Sequence, residues 1–334
     1  FFDGTGNNRA NTRGDGPTGV WGAVRRKAPM LYGSYDNGES NVSVLWQHYD
    51  VKIIKEQAAK RTTRIQRSYV EGIGTTAGSQ DHMKDQALGT GDTGVSARVR
   101  QALIELKRIV GDRDRWDEVR LDVFGFSRGA AAARYFINCV HAKRFDTVWS
   151  GMARLSEVTD VPECTVRFLG VFDTVAAIGH SGNNFDGSGA NNAEVNVHLG
   201  AASAQKVVHL TARHELRRGF SLNRVTPGAG EELSLTGVHS DVGGGYAAEG
   251  DDASLTPPRT ASSGSEAYVQ QVQAAYRAEA GRWRDAMQRV GWIDGTEGPD
   301  EGVIIEGDEI TRKYLLNPMT RMPILAYVYN AQIR

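Results

Sequence analysis

The chain has little cysteine to work with. Only Cys139 and Cys164 occur in 334 residues, so neither a disulfide framework nor a clustered thiolate metal site is expected. Cys139 lies in the apolar run YFINCV and reads as a packed thiol. Long hydrophobic runs are missing too. No stretch of about 18 apolar residues exists, which excludes a spanning helix. No basic, apolar leader opens the sequence, so no signal peptide is expected. An excess of either charge is also lacking. With 39 Lys and Arg against 40 Asp and Glu, the chain has no basic field to attract nucleic acid. Short basic runs such as Arg25-Arg26-Lys27 read as solvated faces.

What the chain does have is a core. Forty per cent of its residues are hydrophobic, and its length suits one large or two ordinary domains. Several apolar runs end in loops rich in Gly, Asn and Asp. Phe1-Phe2 precede DGTGNN, Val119 to Phe126 precede SRG, Val166 to Phe172 precede Asp173, and Leu233 to Val238 precede HSDVGGG. Helical patterns alternate with them. In SARVRQALIELKRIV, Val99, Leu103, Leu106 and Val110 fall on one face, with Ser96 as the expected N-cap. Strands alternating with helices imply an α/β fold with a mostly parallel central sheet.

Other segments break this alternation. FFDGTGNN reads as a strand end running into a turn, so upstream residues are expected before Phe1. Residues 183–192 read as a polar loop, and 249–266, rich in Asp, Ser, Thr, Pro and Gly, as a linker or mobile surface segment. The following AYVQQVQAAYRAEAGRWRDAMQRVGW has an amphipathic helical pattern. The expected organisation is therefore a catalytic core over 1–248 and a linker with a helical C-terminal segment over 249–334.

Residues 124–134 read FGFSRGAAAAR. Within them Gly125-Phe126-Ser127-Arg128-Gly129 is a G-x-S-x-G motif, against about 0.26 matches expected from composition alone. Context strengthens it: VRLDVFGF supplies a strand and GAAAAR begins a helix. Such a turn strains the serine backbone and leaves its hydroxyl above the sheet. Gly125 and Gly129 avoid side-chain clashes on either side. The competing reading is a strand-to-helix connection whose serine does nothing.

A serine hydroxyl needs a base and an orienting acid. In α/β-hydrolases these follow in the order serine, acid, histidine. Asp173, in VRFLGVFDTVAAIG, lies where a buried strand would end, on the rim where Ser127 is expected; its other reading is a turn or helix-capping aspartate. Five histidines follow it. His209 sits inside VVHLTA and reads as a core residue, His214 lies in the charged RHELRR as part of a helix, and His198 carries no distinguishing context. His239, on a loop between LSLTGV and SDVGGGY, is the best base. His180 is the runner-up, but it lies only seven residues beyond Asp173. Asp241 is an alternative orienting acid, but it lies so close in sequence to His239 that it reads as a loop-shaping residue. An oxyanion hole would take the backbone N–H of Arg128 and one from Gly4 or Thr5, with Asp3 as a turn former.

Rival motifs are weaker. Gly89-Thr90-Gly91-Asp92-Thr93-Gly94 matches a dinucleotide fingerprint literally, but DHMKDQAL before it is no strand, and Val95 stands where a phosphate loop needs lysine. A helix-capping loop is the better reading. FFDGTGNN has one aspartate, too few for a metal-dependent phosphatase loop.

FFDGTGNN, YVEGIGT with the downstream GTGDTG, GFSRGAAAAR, GVFDTVAAIG and GVHSDVGGGY together resemble a bacterial family of α/β-hydrolases. That family includes the type VI secretion lipase effectors of the first subfamily. The blocks run in order from residue 1 to about 246. The resemblance implies an antibacterial phospholipase A1 or A2 acting on membrane glycerophospholipids of a rival cell. It implies synthesis in the cytoplasm, delivery by the secretion spike to the target periplasm or membrane, and an immunity protein in the producing cell. The family's serine, aspartate and histidine fall on Ser127, Asp173 and His239. Neither a metal nor an organic cofactor is expected. A general carboxylesterase or lipase and a non-enzymatic secreted adaptor are the alternatives. Family members usually carry residues before the first strand and larger membrane-contacting inserts; nothing after Tyr246 matches a family block, and ARHELRRGF resembles a block that usually has an aspartate near His214.

Overall fold

The computed structural model describes residues 1–14, 33–111, 116–179, 195–215, 220–225 and 229–245, with the backbone of three strands beyond them. The chain divides into two compact units, Phe1–His214 with Gly219–Ala247, and Glu215–Arg218 with Ala248–Arg334.

The first unit begins with three helices: α1 (Arg9–Thr12), α2 (Gly33–Asp36) and α3 (Asn41–His48), the last capped by Ser40. A hairpin of β1 (Lys52–Glu56) and β2 (Arg61–Ile65) follows, then α4 (Met83–Leu88) and α5 (Val95–Val110). Next come β3 (Arg120–Phe126), α6 (Arg128–Ala142), a short hairpin of β4 (Val148–Ser150) and β5 (Ala153–Leu155), and β6 (Thr165–Phe172). The unit closes with β7 (Lys206–Ala212), β8 (Glu231–Leu235) and α7 (His239–Gly243).

The central sheet has the order β3-β6-β7-β8, and every pairing in it is parallel. This is the α/β architecture expected from the alternating runs. The opening residues extend it. Phe2 bridges Gly125 on one side and Val70 on the other, both in parallel. FFD is thus a strand end, and the turn GTGNN leaves it at the rim where β3 also ends.

Helices cover the sheet for the reason the pattern gave. Val99, Leu103, Leu106 and Val110 of α5 are buried, and Ala130 to Ala133 of α6 have no exposed surface. The four methyl-sized side chains let α6 lie close on β3 and against α5. Ser96 is not the cap of α5. Gly94 occupies that position, and Ser96 is buried one residue inside the first turn. The expected strand at Leu233–Val238 lies slightly earlier, at Glu231–Leu235.

The inserted pieces of the first unit include strands as well as short helices. Both faces of the β1–β2 hairpin are largely exposed, which explains why no apolar run announced it. In the second unit, β9 (Ala253–Leu255), β10 (Val303–Glu306) and β11 (Glu309–Lys313) form an antiparallel sheet ordered β10-β11-β9. These strands lie within 249–334, the segment expected as a linker with a helical C-terminal part. The amphipathic pattern carrying Trp283 and Trp292, the loop 183–192 and His180 lie outside the described residues. Among the described residues, no helix is long and apolar enough to cross a membrane.

Candidate active site

Ser127 stands at the junction of β3 and α6 with φ 58° and ψ −128°. This is a strained conformation for a residue with a Cβ, costing on the order of 1–3 kcal/mol, and it persists only where neighbours enforce it. Here they do. Ser127 N–H donates to the Phe172 carbonyl at 3.1 Å, and the Ser127 carbonyl accepts from Ala130, Ala131 and Val175 at 3.0, 3.2 and 3.3 Å. The two flanking glycines are needed for space. A Cβ on Gly125 would lie 2.6 Å from the Gly129 carbonyl oxygen, and one on Gly129 would lie 2.2 Å from that of Asp3. The serine is buried, 5% exposed.

Asp173 follows β6 directly and also has a left-handed backbone, with φ 39°. Its carboxylate is buried and divided between two partners. Oδ1 accepts the Ala212 N–H at 2.9 Å, and Oδ2 lies 2.6 Å from His239 Nδ1. His239 is the first residue of α7 rather than a loop residue. Its ring is buried, with Nε2 enclosed, between Phe126 and Phe220 at centroid distances of 4.7 and 4.8 Å. Phe126 immediately precedes Ser127, and Phe172, which accepts the Ser127 amide, immediately precedes Asp173. Three segments distant in sequence therefore meet at one point: the ends of β3 and β6 and the start of α7.

The remaining expected residues are placed as follows. The Arg128 amide is the first of α6, and a helix's first amides have no intrahelical acceptor. Gly4 and Thr5 lie on the turn that packs against the start of α6 through Asp3 and Gly129. The Gly4 N–H donates to Asp3 Oδ1 at 2.8 Å. Asp3 is thus a turn former, and a buried one. Its carboxylate also accepts from the Tyr69 hydroxyl, and burial raises its affinity for a proton against these hydrogen bonds. Asp241 accepts the Val238 N–H at 2.8 Å and so shapes the turn entering α7. His214 is not helical. It lies in a turn, and Gly237 N–H reaches its Nδ1 at 3.3 Å. His209 is wholly buried.

The GTGDTG segment is a pair of caps. Gly89 ends α4 with φ 72°, Gly94 begins α5, and Asp85 accepts from both the amide and the hydroxyl of Thr93 at 3.0 and 2.6 Å. The Arg128 guanidinium anchors this segment. It donates to the carbonyls of Gln86, Ala87 and Ala177, and burial lowers its pKa to about 10, leaving it charged at neutral pH. A cation at the last carbonyls of α4 also complements that helix's dipole. Burial raises the thiols of Cys139 and Cys164 to about 12, so neither is a ready nucleophile.

Sequence reasoning missed Arg134. It is 3% exposed and donates to the carbonyls of Val197, Asn223 and Arg224. Its signal was available: an arginine placed directly after four buried alanines has no solvent on that face.

A parallel sheet with a serine on a strained strand-to-helix turn, and a histidine–aspartate pair beside it, defines an α/β-hydrolase-like protein. Residues 141–262 match the family model of the type VI secretion phospholipase effector Tle1-like catalytic domain. The matched segment contains Asp173 and His239. The fold is shared with the Tle1 effector solved bound to the VgrG spike of the type 6 secretion system, at a TM-score of 0.50 and 23% identity over 95% of this chain and 68% of that one. An uncharacterised protein from Pseudomonas aeruginosa aligns with a TM-score of 0.43 and 21% identity, over 73% of this chain and 41% of that one. Among curated proteins none matches the sequence.

Proposed function

We propose that the chain is a serine phospholipase A, with Ser127 as nucleophile, His239 as base and Asp173 as orienting acid. The observation that carries this reading is the buried contact of 2.6 Å between His239 Nδ1 and Asp173 Oδ2, beside a serine on a strained turn. Ser127 Oγ attacks the ester carbonyl carbon while His239 Nε2 takes the hydroxyl proton. The carboxylate of Asp173 stabilises the imidazolium. Collapse of the tetrahedral intermediate expels the lysophospholipid, whose oxygen receives the proton from Nε2. Water then attacks the acyl-serine by the same route and frees the fatty acid.

The oxyanion falls to the Arg128 amide and to the backbone at Thr5. Gly4, the other expected donor, already gives its N–H to Asp3. Each such donor contributes roughly 3 kcal/mol in comparable hydrolases.

The substrate is a membrane glycerophospholipid of a target cell, cleaved at the sn-1 or sn-2 ester. The family match supports the phospholipase class, and the VgrG complex of the related effector supports a spike protein as delivery partner. An immunity protein would protect the producing cell. Vesicles of phosphatidylethanolamine and phosphatidylglycerol, without added calcium, should release free fatty acid and lysophospholipid, detected by mass spectrometry. Ser127→Ala should release neither. Cleavage of soluble butyrate esters with vesicles and micelles left intact would replace the phospholipase by a general carboxylesterase. Wild-type turnover by folded Ser127→Ala would end the serine-hydrolase reading.

A further inference from the structure

Behind Asp173 stands a second histidine–carboxylate pair. His209 lies within β7 and has no exposed surface. Its two ring nitrogens have different partners. Nε2 lies 3.0 Å from the backbone nitrogen of Thr174. A backbone N–H only donates, so Nε2 is the unprotonated nitrogen. Nδ1 then carries the proton and gives it to Glu232 Oε1 at 3.0 Å. Geometry alone fixes this tautomer. Burial works in the same direction by opposing a second proton on the ring, as does Arg134, while Glu232 and Asp173 oppose that effect.

The amide held by His209 belongs to the residue after Asp173. Asp173 needs its φ of 39° to face both Ala212 and His239, and a non-glycine residue holds such a backbone only when its neighbours enforce it. Every backbone N–H from Asp173 to Ala176 is tied down. Asp173 N–H donates to the Leu210 carbonyl at 2.7 Å, and Val175 N–H to that of Ser127 at 3.3 Å. Ala176 N–H donates to Asn223 Oδ1 at 2.7 Å. The Thr174 carbonyl accepts from Asn223 N–H at 2.9 Å. The peptide joining Asp173 to Thr174 sets the direction of the carboxylate, and the acceptor for its N–H is the His209 ring.

Glu232 in turn is held in place. Its Oε1 also accepts the Val225 N–H at 2.9 Å, and its Oε2 lies 3.0 Å from Arg224 Nη1. The order of contacts is therefore Glu232, His209, the Thr174 amide, Asp173 and His239, running from the outer strand β8 to the proposed base.

We propose that His209 is a positioning residue: by accepting the Thr174 N–H it fixes the peptide after Asp173 and so aims the carboxylate at His239. This rests on the triad reading given above. His209 touches neither substrate nor the reacting atoms. Its protonated ring would present a donor to a donor, so the function requires the neutral form. The charged or titratable groups facing it are Glu232 from β8, Arg134 from α6 and Asp173 from the end of β6.

The test compares three variants of the full chain on a soluble ester and on phospholipid vesicles, with kcat, KM and the pH profile of kcat/KM as readouts. His209→Gln keeps an acceptor where Nε2 stood. His209→Asn keeps a group near Nδ1 for Glu232 but cannot reach Thr174. His209→Leu keeps neither. His209→Gln should stay within about fivefold of the wild type. The other two should lose about 10- to 100-fold in kcat, the scale expected when a catalytic group is misplaced by about an ångström, with KM within twofold. Their acid limb should also move to lower pH, because a misaimed Asp173 no longer favours the His239 imidazolium. A merely structural role would lower stability without moving that limb or separating Gln from Asn. If His209→Leu fails to fold, the Gln and Asn pair decides. Equal kcat and equal acid limbs for Gln and Asn would overturn the proposal. If Ser127→Ala or Asp173→Asn is itself active, the triad reading has failed instead.

Discussion

Asp173→Asn changes one atom of the site, and the surrounding hydrogen bonds dictate its effect. Oδ1 of Asp173 accepts the Ala212 N–H at 2.9 Å, and Oδ2 faces His239 Nδ1 at 2.6 Å. An asparagine in the same rotamer keeps its oxygen toward Ala212, since its NH₂ there would meet another donor. The NH₂ must then face His239. Nδ1 becomes an acceptor and the ring proton moves to Nε2, the nitrogen that has to receive the serine proton. The anion that stabilises the imidazolium is lost in the same step. In other serine hydrolases a change of this kind lowers turnover by about 10⁴-fold, equivalent to about 5.4 kcal/mol of transition-state stabilisation at 1.36 kcal/mol per tenfold. Because the Ala212 bond survives, circular dichroism should be unchanged and Tm should move by only a few degrees. Initial rates on a soluble ester, together with fatty acid released from vesicles, provide the assay. A folded Asp173→Asn protein with activity within tenfold of the wild type would refute the assignment of Asp173 as the orienting acid.

Gly129→Ala should lower stability by about 1–3 kcal/mol, as overpacking does, because the new methyl would lie 2.2 Å from the backbone oxygen of Asp3; a Tm equal to that of the wild type would show that the turn over α6 yields freely. Arg134→Met should cost about 3 kcal/mol or more, since buried carbonyls left without a donor cost about 1–3 kcal/mol each and this side chain serves Val197, Asn223 and Arg224. Urea denaturation measures it, and a change below 1 kcal/mol would mean that water replaces the guanidinium.

Ser127 was legible because its signal is local. A strand, two glycines and a run of alanines within about a dozen residues specify one turn. Asp173 and His239 could be singled out because parallel sheets gather strand ends on one rim, a topological rule that needs no register. What failed depended on contacts distant in sequence. His214 reads as helical in RHELRR, but Arg213 N–H donates to Leu235 O and His214 N–H to Gly237 O, and these bonds to the end of β8 hold it in a turn. The β1–β2 hairpin lacks a buried face, so it has no apolar alternation to read. Ser96 carries the right side chain for a cap but sits two residues too late, because Asp85 and Gly94 had already built the helix start. His209 looked like an inert core residue from its apolar neighbours. Its role depends on which backbone amide the fold brings to Nε2, which no pattern in VVHLTA encodes.

Ser127 and the Asp173 loop share two backbone hydrogen bonds, from Ser127 to Phe172 and from Val175 to Ser127. The seam between the nucleophile turn and the acid loop is therefore written in main chain, where side-chain replacement has no direct hold. Sequence drift can alter the side chains around it without unfastening it. The molecule thus has places free to vary and one place that must stay still. Loops transplanted between relatives should carry function only when both sides of this seam travel together.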